Sequence, residues 1–234
     1  MAVNDPVAIV TGANRGIGRE VARQLAADHG FVVVLGARDR DKGESTARAL
    51  DATGRRVRPQ QLDVTDPASI AGAVARVGDE LGRVDVLVNN AAIDYDTDAR
   101  AVTADLDRAR RAFETNLFGA WATAQAFLPL LRASPHPRIV NVSSESGSIS
   151  EMSGGTPAYS ISKAALNALT RLLAAELRRD RVLVNAVCPG WTDTDMGQGG
   201  RPVAAGAASV CWAALLADDG PTGGFYRDGR PLPW

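Results

Sequence analysis

The chain has 234 residues, 45% of them hydrophobic, and 26 Lys and Arg against 27 Asp and Glu leave a net charge of −1. Charges of both signs are interspersed with no basic run, which argues against nucleic acid or an anionic membrane as the main partner and leaves small molecules. The length suffices for one large α/β core or two small domains. No signal-peptide pattern and no apolar run of roughly 18 residues is seen, so a cytoplasmic protein without a membrane span is expected.

In chain order, residues 7–10 (Val-Ala-Ile-Val) predict a buried strand. The run Thr11-Gly12-Ala13-Asn14-Arg15-Gly16-Ile17-Gly18 follows it, and then a helical pattern through Val21 and Leu25 ends near Gly30. Strand, glycine turn and helix is the context a dinucleotide motif requires. Gly12 permits the tight turn, Gly16 lets backbone approach a pyrophosphate at the helix N-terminus, and Gly18 allows close packing of helix on strand. The spacing is Gly-x-x-x-Gly-x-Gly. A glycine-rich turn with no ligand is the plain structural alternative.

Residues 31–35 predict a second strand closed by Gly36-Ala37-Arg38. In a doubly wound fold the residues ending this strand meet the adenosine ribose, where an acid suits a 2′-hydroxyl and arginine a 2′-phosphate. Arg38, with Arg15 converging from the glycine loop, favours NADP(H); Asp39 is the reservation, as a partner for Arg38 or a ribose ligand. A helix over 41–53 precedes a strand that includes Val57 and ends at Leu62-Asp63-Val64, where Asp63 is expected at the adenine amino group. Asp66 before Pro67 is better placed than Asp63 to cap the helix expected over 67–81. An apolar run over 84–88 ends in Asn89-Asn90-Ala91-Ala92, small residues that leave room for a cofactor. One long apolar helix is expected over 103–131, with Asn116 among Phe113, Leu117, Phe118 and Trp121 and in need of a polar partner.

The central stretch, 138–163, is a short strand, then Ser143-Ser144, a Gly/Ser-rich loop, and Tyr159-Ser-Ile-Ser-Lys163 opening a helix over 157–178. Tyr and Lys four apart share a helix face, so the ammonium is expected to favour the phenolate and lower its pKa. Ser144 is expected to donate to the same substrate oxygen. A chance Tyr-x-x-x-Lys and a linker loop are the bland reading. A sixth strand over 182–188 leads to Pro189-Gly190-Trp191-Thr192-Asp193-Thr194, then a helix over 203–216 and a last strand near Phe225. Cys188 and Cys211 are expected as buried thiols, and neither His29 nor His136 is placed as a catalytic base or within a zinc site. Strands and helices alternate throughout, which predicts one doubly wound α/β domain over residues 1–234 with a mostly parallel sheet and ligands at the carboxyl ends of its strands.

Together, Thr11-Gly-x-x-x-Gly-x-Gly18, Asp63, Asn89-Asn-Ala91, Asn116, Ser144, Tyr159-x-x-x-Lys163 and Pro189-Gly190 with Thr194 resemble the short-chain dehydrogenase/reductase family over essentially the whole chain. The 218–234 tail and Ala37-Arg38-Asp39 are similar to its NADPH-dependent carbonyl reductase and menthol-dehydrogenase-like branch. The resemblance implies a seven-stranded sheet, Tyr159 as proton donor, Ser144 orienting the carbonyl, Lys163 holding the nicotinamide ribose, and Asn116 anchoring a relay water. It places the cofactor against Thr11, Gly12, Asn14, Arg15, Gly16, Ile17, Gly18, Arg38, Asp63, Val64, Asn90, Ala91, Tyr159, Lys163, Pro189, Gly190, Thr192 and Thr194. It also implies pairing of the long helix between subunits, hence a homodimer or tetramer.

Two features depart from the family pattern. Ala92 stands where glycine is common, and the Ser144-to-Tyr159 spacing is slightly long, which keeps Ser146 as a second candidate for the orienting serine. The loops expected around the substrate carry Ile93, Ser146, Met152, Trp191 and Met196 and no cation beyond Lys163, with Arg201 able to swing in; a neutral, hydrophobic ketone or aldehyde is expected. A carbonyl reductase or alcohol dehydrogenase is the leading function, and a non-catalytic NADP(H)-binding sensor or interaction protein on the same fold is the alternative.

Overall fold

The computed structural model describes residues 5–234, so the first four residues of the expected 1–234 domain lie outside the described residues. Strands β1 (Val7–Val10), β2 (Val32–Ala37), β3 (Val57–Gln61), β4 (Val86–Asn89), β5 (Arg138–Val142), β6 (Leu183–Val187) and β7 (Phe225–Arg227) form one sheet in the order β3-β2-β1-β4-β5-β6-β7, all parallel. The seven expected strands become eight. β8 (Arg230–Pro231) pairs antiparallel with β7 across Asp228-Gly229, whose φ values of 52° and 74° supply the positive φ that a two-residue hairpin turn requires.

β1 and β2 read as unbroken runs of apolar residues and glycine because both faces of the sheet are covered there, whereas edge strand β3 (Val-Arg-Pro-Gln-Gln) is polar. Ala8, Val10, Val33, Leu35, Val86 and Val88 pack beneath α1 (Gly16–Ala27) and α7 (Val203–Ala214), with α2 (Arg40–Leu50) adding Ala47. The alternate residues Ile9, Val34, Leu87 and Ile139 meet α3 (Pro67–Leu81) and Phe127 and Leu131 of α5 (Ala120–Arg132) on the other face. Asp66 caps α3 by accepting from Ala68 N, Pro67 opens the helix, and Gly82 closes it with φ 73°. Pro59 is tolerated in β3 because that strand is the sheet edge.

The single long helix expected over 103–131 is three pieces. α4 (Leu106–Phe113), capped by Asp105, runs into a π-helical segment, Glu114–Gly119, and then into α5. The widened turn holds Asn116 buried beside α6 (Pro157–Glu176).

Candidate active site

Strand order reverses between β1 and β4, and the carboxyl ends of the strands open there into a cleft of about 820 Å³. Gly12, Asn14, Arg15, Gly16, Ile17, Gly18, Arg38, Asp63, Val64, Asn90, Ala91, Tyr159, Lys163, Pro189 and Thr194 line it. Thr11 lies behind this surface. Its hydroxyl accepts from Asn90 N and Ala91 N, both at 3.0 Å, while Asn90 Nδ2 donates to Thr11 O at 2.8 Å, so the two motifs fix one another. Gly12 has φ 62°, and a Cβ there would sit 2.9 Å from Ala91 Cα; at Gly18 it would meet Asn90 Nδ2 at 2.4 Å.

The cleft fits a long anionic dinucleotide. Helices α2, α3 and α4 are each capped by an aspartate side chain, but α1 has none, so the N–H groups of its first turn face the cleft without a side-chain acceptor. At the ribose end Arg38 is exposed and makes no ion pair among the described residues. Arg15 pairs with Asp195 at 2.8 Å. Lys42, a lining cation not singled out from sequence, sits 3.4 Å from Asp39. Asp39 does not engage Arg38: it caps α2, accepting from Lys42 N at 3.1 Å. Asp63 Oδ1 accepts from Thr65 N and Oγ1 at 3.0 and 2.7 Å.

Tyr159 and Lys163 project from the first turns of α6 into the floor of the cleft. Lys163 Nζ lies 5.5 Å from the Tyr159 ring centroid and donates to Val142 O at 2.7 Å. The expected drop in the phenol's pKa is not what the structure gives. Burial pushes Tyr159 well above its ordinary value, opposed by a hydrogen bond with Ser144, and burial depresses Lys163 to about 8. The ammonium lies over the ring and donates to a carbonyl, and desolvation dominates the shift of the phenol. Asn116 has the partners it needs: Oδ1 accepts from Ile93 N at 2.9 Å, and Nδ2 donates to Ile93 O at 3.1 Å and Ser162 Oγ at 3.0 Å.

Next to the cleft, a cavity of about 160 Å³ shares Tyr159 and is lined by Ser144, Ser146, Gly190, Trp191, Thr192 and Met196. Thr192 Oγ1 donates to Gly190 O at 2.9 Å and shapes this loop from within. Ser144 Oγ accepts from Ser146 N at 3.2 Å, and of the two serines it is Ser144 that opposes the upward shift of Tyr159. Of the other pocket candidates, Ile93 lines the dinucleotide cleft, and Met152 lines a further cavity of about 430 Å³. Arg201 is turned away, bonded to Pro189 O at 2.8 Å and to both oxygens of Asp228 at 2.8 and 3.0 Å. Sequence reasoning missed Tyr95, whose ring packs edge-on against Tyr159 at 5.0 Å and lies 5.6 Å from Trp191. It also missed Glu145, which lines the cavity and pairs with Arg227 at 2.5 Å. Cys188 and Cys211 are free and buried, and burial pushes both thiols up.

A family model described as short chain dehydrogenase matches residues 6–203, and the chain belongs to that family. Among its relatives, Carbonyl reductase [NADPH] 1 of Mus musculus is 33% identical, with all of both chains covered. (+)-Neomenthol dehydrogenase of Arabidopsis thaliana is 35% identical, over 94% of this chain and 95% of the relative. Among solved structures, the NADPH-bound carbonyl reductase from chicken fatty liver superposes with a TM-score of 0.88 at 30% identity, over 99% of this chain and 100% of the other.

Proposed function

We propose that the chain is an NADPH-dependent carbonyl reductase acting on neutral, hydrophobic ketones or aldehydes. The observation that carries this reading is Tyr159 standing in the wall between the dinucleotide cleft and the smaller cavity, beside Ser144 and Lys163. The first-turn amides of α1 would hold the pyrophosphate, and Arg38 with Arg15 and Lys42 the 2′-phosphate. Bound there, NADPH supplies the hydride. Ser144 and Tyr159 hold the substrate oxygen, and Tyr159 gives it a proton. Burial favours the protonated phenol, the form that can donate. Lys163, titrating at about 8, is able to return a proton to the phenolate, with Asn116 anchoring the water of that relay.

Tyr95, Trp191 and Met196 give the cavity an aromatic and apolar side, beside the hydroxyls of Ser144, Ser146 and Thr192 and the carboxylate of Glu145. Among the described residues no lysine or arginine lines this cavity, and Arg201 and Arg227 are both committed to carboxylates. The similarity to NADPH carbonyl reductases supports NADPH and carbonyl chemistry over the non-catalytic alternative. A cytoplasmic protein of one domain, assembled as a homodimer or tetramer, completes the reading. No helix among the described residues is long and apolar enough to cross a membrane.

The test follows cofactor absorbance against a pair of ketones alike except for a carboxylate, with NADPH and with NADH. Faster turnover with NADPH and with the neutral member is expected. A preference of about tenfold or more for the anion, about 1.4 kcal/mol, would overturn the substrate class. No turnover with any carbonyl would favour the binding-protein alternative.

A further inference from the structure

Helix α6 carries both Tyr159 and Lys163, yet nothing in its own sequence caps it. The residue at its N-cap, Thr156, is left-handed (φ 45°, ψ 49°) and makes no side-chain cap bond; its hydroxyl bonds Ser160 Oγ at 2.8 Å instead. The cap comes from the loop after β4. Asp96, only 1% exposed, accepts from Ala158 N at 2.9 Å and from Tyr159 N at 3.1 Å, one bond to each carboxylate oxygen. The preceding residue, Tyr95, lays its ring edge-on against the Tyr159 ring. One dipeptide therefore holds Tyr159 twice, by its backbone amide and by its ring.

The dipeptide is itself fastened. Asp94, with φ 68°, turns the chain out of the strand end, and Arg108 of α4 bridges Asp94 at 2.6 Å and Asp98 at 2.9 Å on either side of the pair. Thr97 N and Ala99 N close the loop onto Tyr95 O and Asp96 O, both at 3.0 Å.

We propose that residues 94–98 are a clamp, with Asp96 and Arg108 as positioning residues that set where the Tyr159 hydroxyl stands against the substrate oxygen. The inference rests on Tyr159 being the proton donor. A carboxylate satisfies two buried N–H donors with two acceptors, which no neutral side chain of that size does. Asparagine offers one acceptor and turns an N–H₂ toward the second amide. Arg108 touches neither cavity, and its ion pairs to Asp94 and Asp98 tie α4 to the loop that holds Tyr159.

The experiment measures single-turnover NADPH oxidation by stopped flow, mixing enzyme pre-loaded with NADPH against a saturating neutral ketone, together with the NADPH Kd and the thermal midpoint. Asp96→Ala is expected to slow hydride transfer by about 10-fold to 100-fold, the scale set by small misplacements of a reacting group. Asp96→Asn should fall between it and wild type, and Arg108→Gln should lose about threefold or more, with the NADPH Kd within about twofold throughout. If Asp96→Ala does not fold, Asp96→Asn and Arg108→Gln decide. Rates within about twofold of wild type in the folded variants overturn the clamp. So does a loss of rate matched by an equal loss of NADPH affinity, since that reports general loosening. Tyr159→Phe runs as the control: wild-type transfer there would sink the proton-donor assignment itself, a different result from a neutral Asp96 variant beside a crippled Tyr159→Phe.

Discussion

Lys163 shows how single groups in this site trade stability for chemistry. Burial holds it at about 8, below the 10.5 of an unburied lysine, so the folded chain disfavours the cation. Between those values the unfolded chain binds more protons than the folded one, and stability rises with pH across that window. Below about pH 8 both states are protonated and the full penalty, about 3 kcal/mol, is present. Lys163→Met removes it but leaves Val142 O without its donor, a cost of about 1 kcal/mol or more. The variant should therefore be more stable than wild type by about 1–2 kcal/mol at neutral pH while losing turnover, with the gain fading as pH approaches 10.5. Denaturant unfolding at neutral pH and near the top of the window checks this. A variant less stable at neutral pH would show that the carbonyl bond outweighs the buried charge. Arg38 and Asp39 make a related contrast: the sequence places both at the ribose end, but only the structure shows Asp39 already taken by the cap of α2.

The site depends on how elements meet. The 3-10 turn at Glu145–Gly147, which follows Ser144, sits directly on α6. A Cβ at Gly147 would lie 2.7 Å from the carbonyl carbon of Lys163 and 2.9 Å from Ala164 N, backbone that cannot yield, and Asn167 Nδ2 donates to Gly147 O at 3.1 Å. Gly147→Ala should cost about 1–3 kcal/mol, as overpacking does, and should also slow turnover by lifting Ser144 from Tyr159. Urea unfolding with an unchanged midpoint would contradict it. Elements with local signals were legible. Asp66-Pro67 and Gly82 mark both ends of α3, and the Tyr159-Lys163 spacing places both side chains on one face of α6. The π segment around Asn116 was not, because nothing in a polar residue among aromatics tells a widened turn from an ordinary one. The Asp96 cap lies some sixty residues from the helix it caps, so no local capping rule reaches it. Asp228-Gly229, by contrast, is a strong two-residue hairpin signal and could have revealed β8.

At the scale of the molecule, alternation of strand and helix was enough to give a doubly wound sheet, since each strand needs both faces covered. What remains uncovered points outward. Phe118 (46% exposed) and Trp121 lie one turn apart across the end of the π segment and the start of α5. Ile161 and Leu172 (56% exposed) lie three turns apart on one face of α6. Apolar side chains on these two helices suit a second copy of the chain. Light scattering at micromolar protein should report a dimer or tetramer, and Trp121→Glu with Leu172→Glu should shift it toward monomer. A wild-type monomer would contradict the assembly.

Tyr159 is the proposed proton donor between cleft and cavity, and turnover of Tyr159→Phe at saturating NADPH and ketone tests that role most directly. The phenylalanine keeps the ring against Tyr95 and removes only the hydroxyl, which shares the cavity with Ser144. Turnover should fall by about 10²-fold or more while NADPH binding stays near wild type. Turnover near the wild-type rate, with the cofactor still bound, would contradict the mechanism.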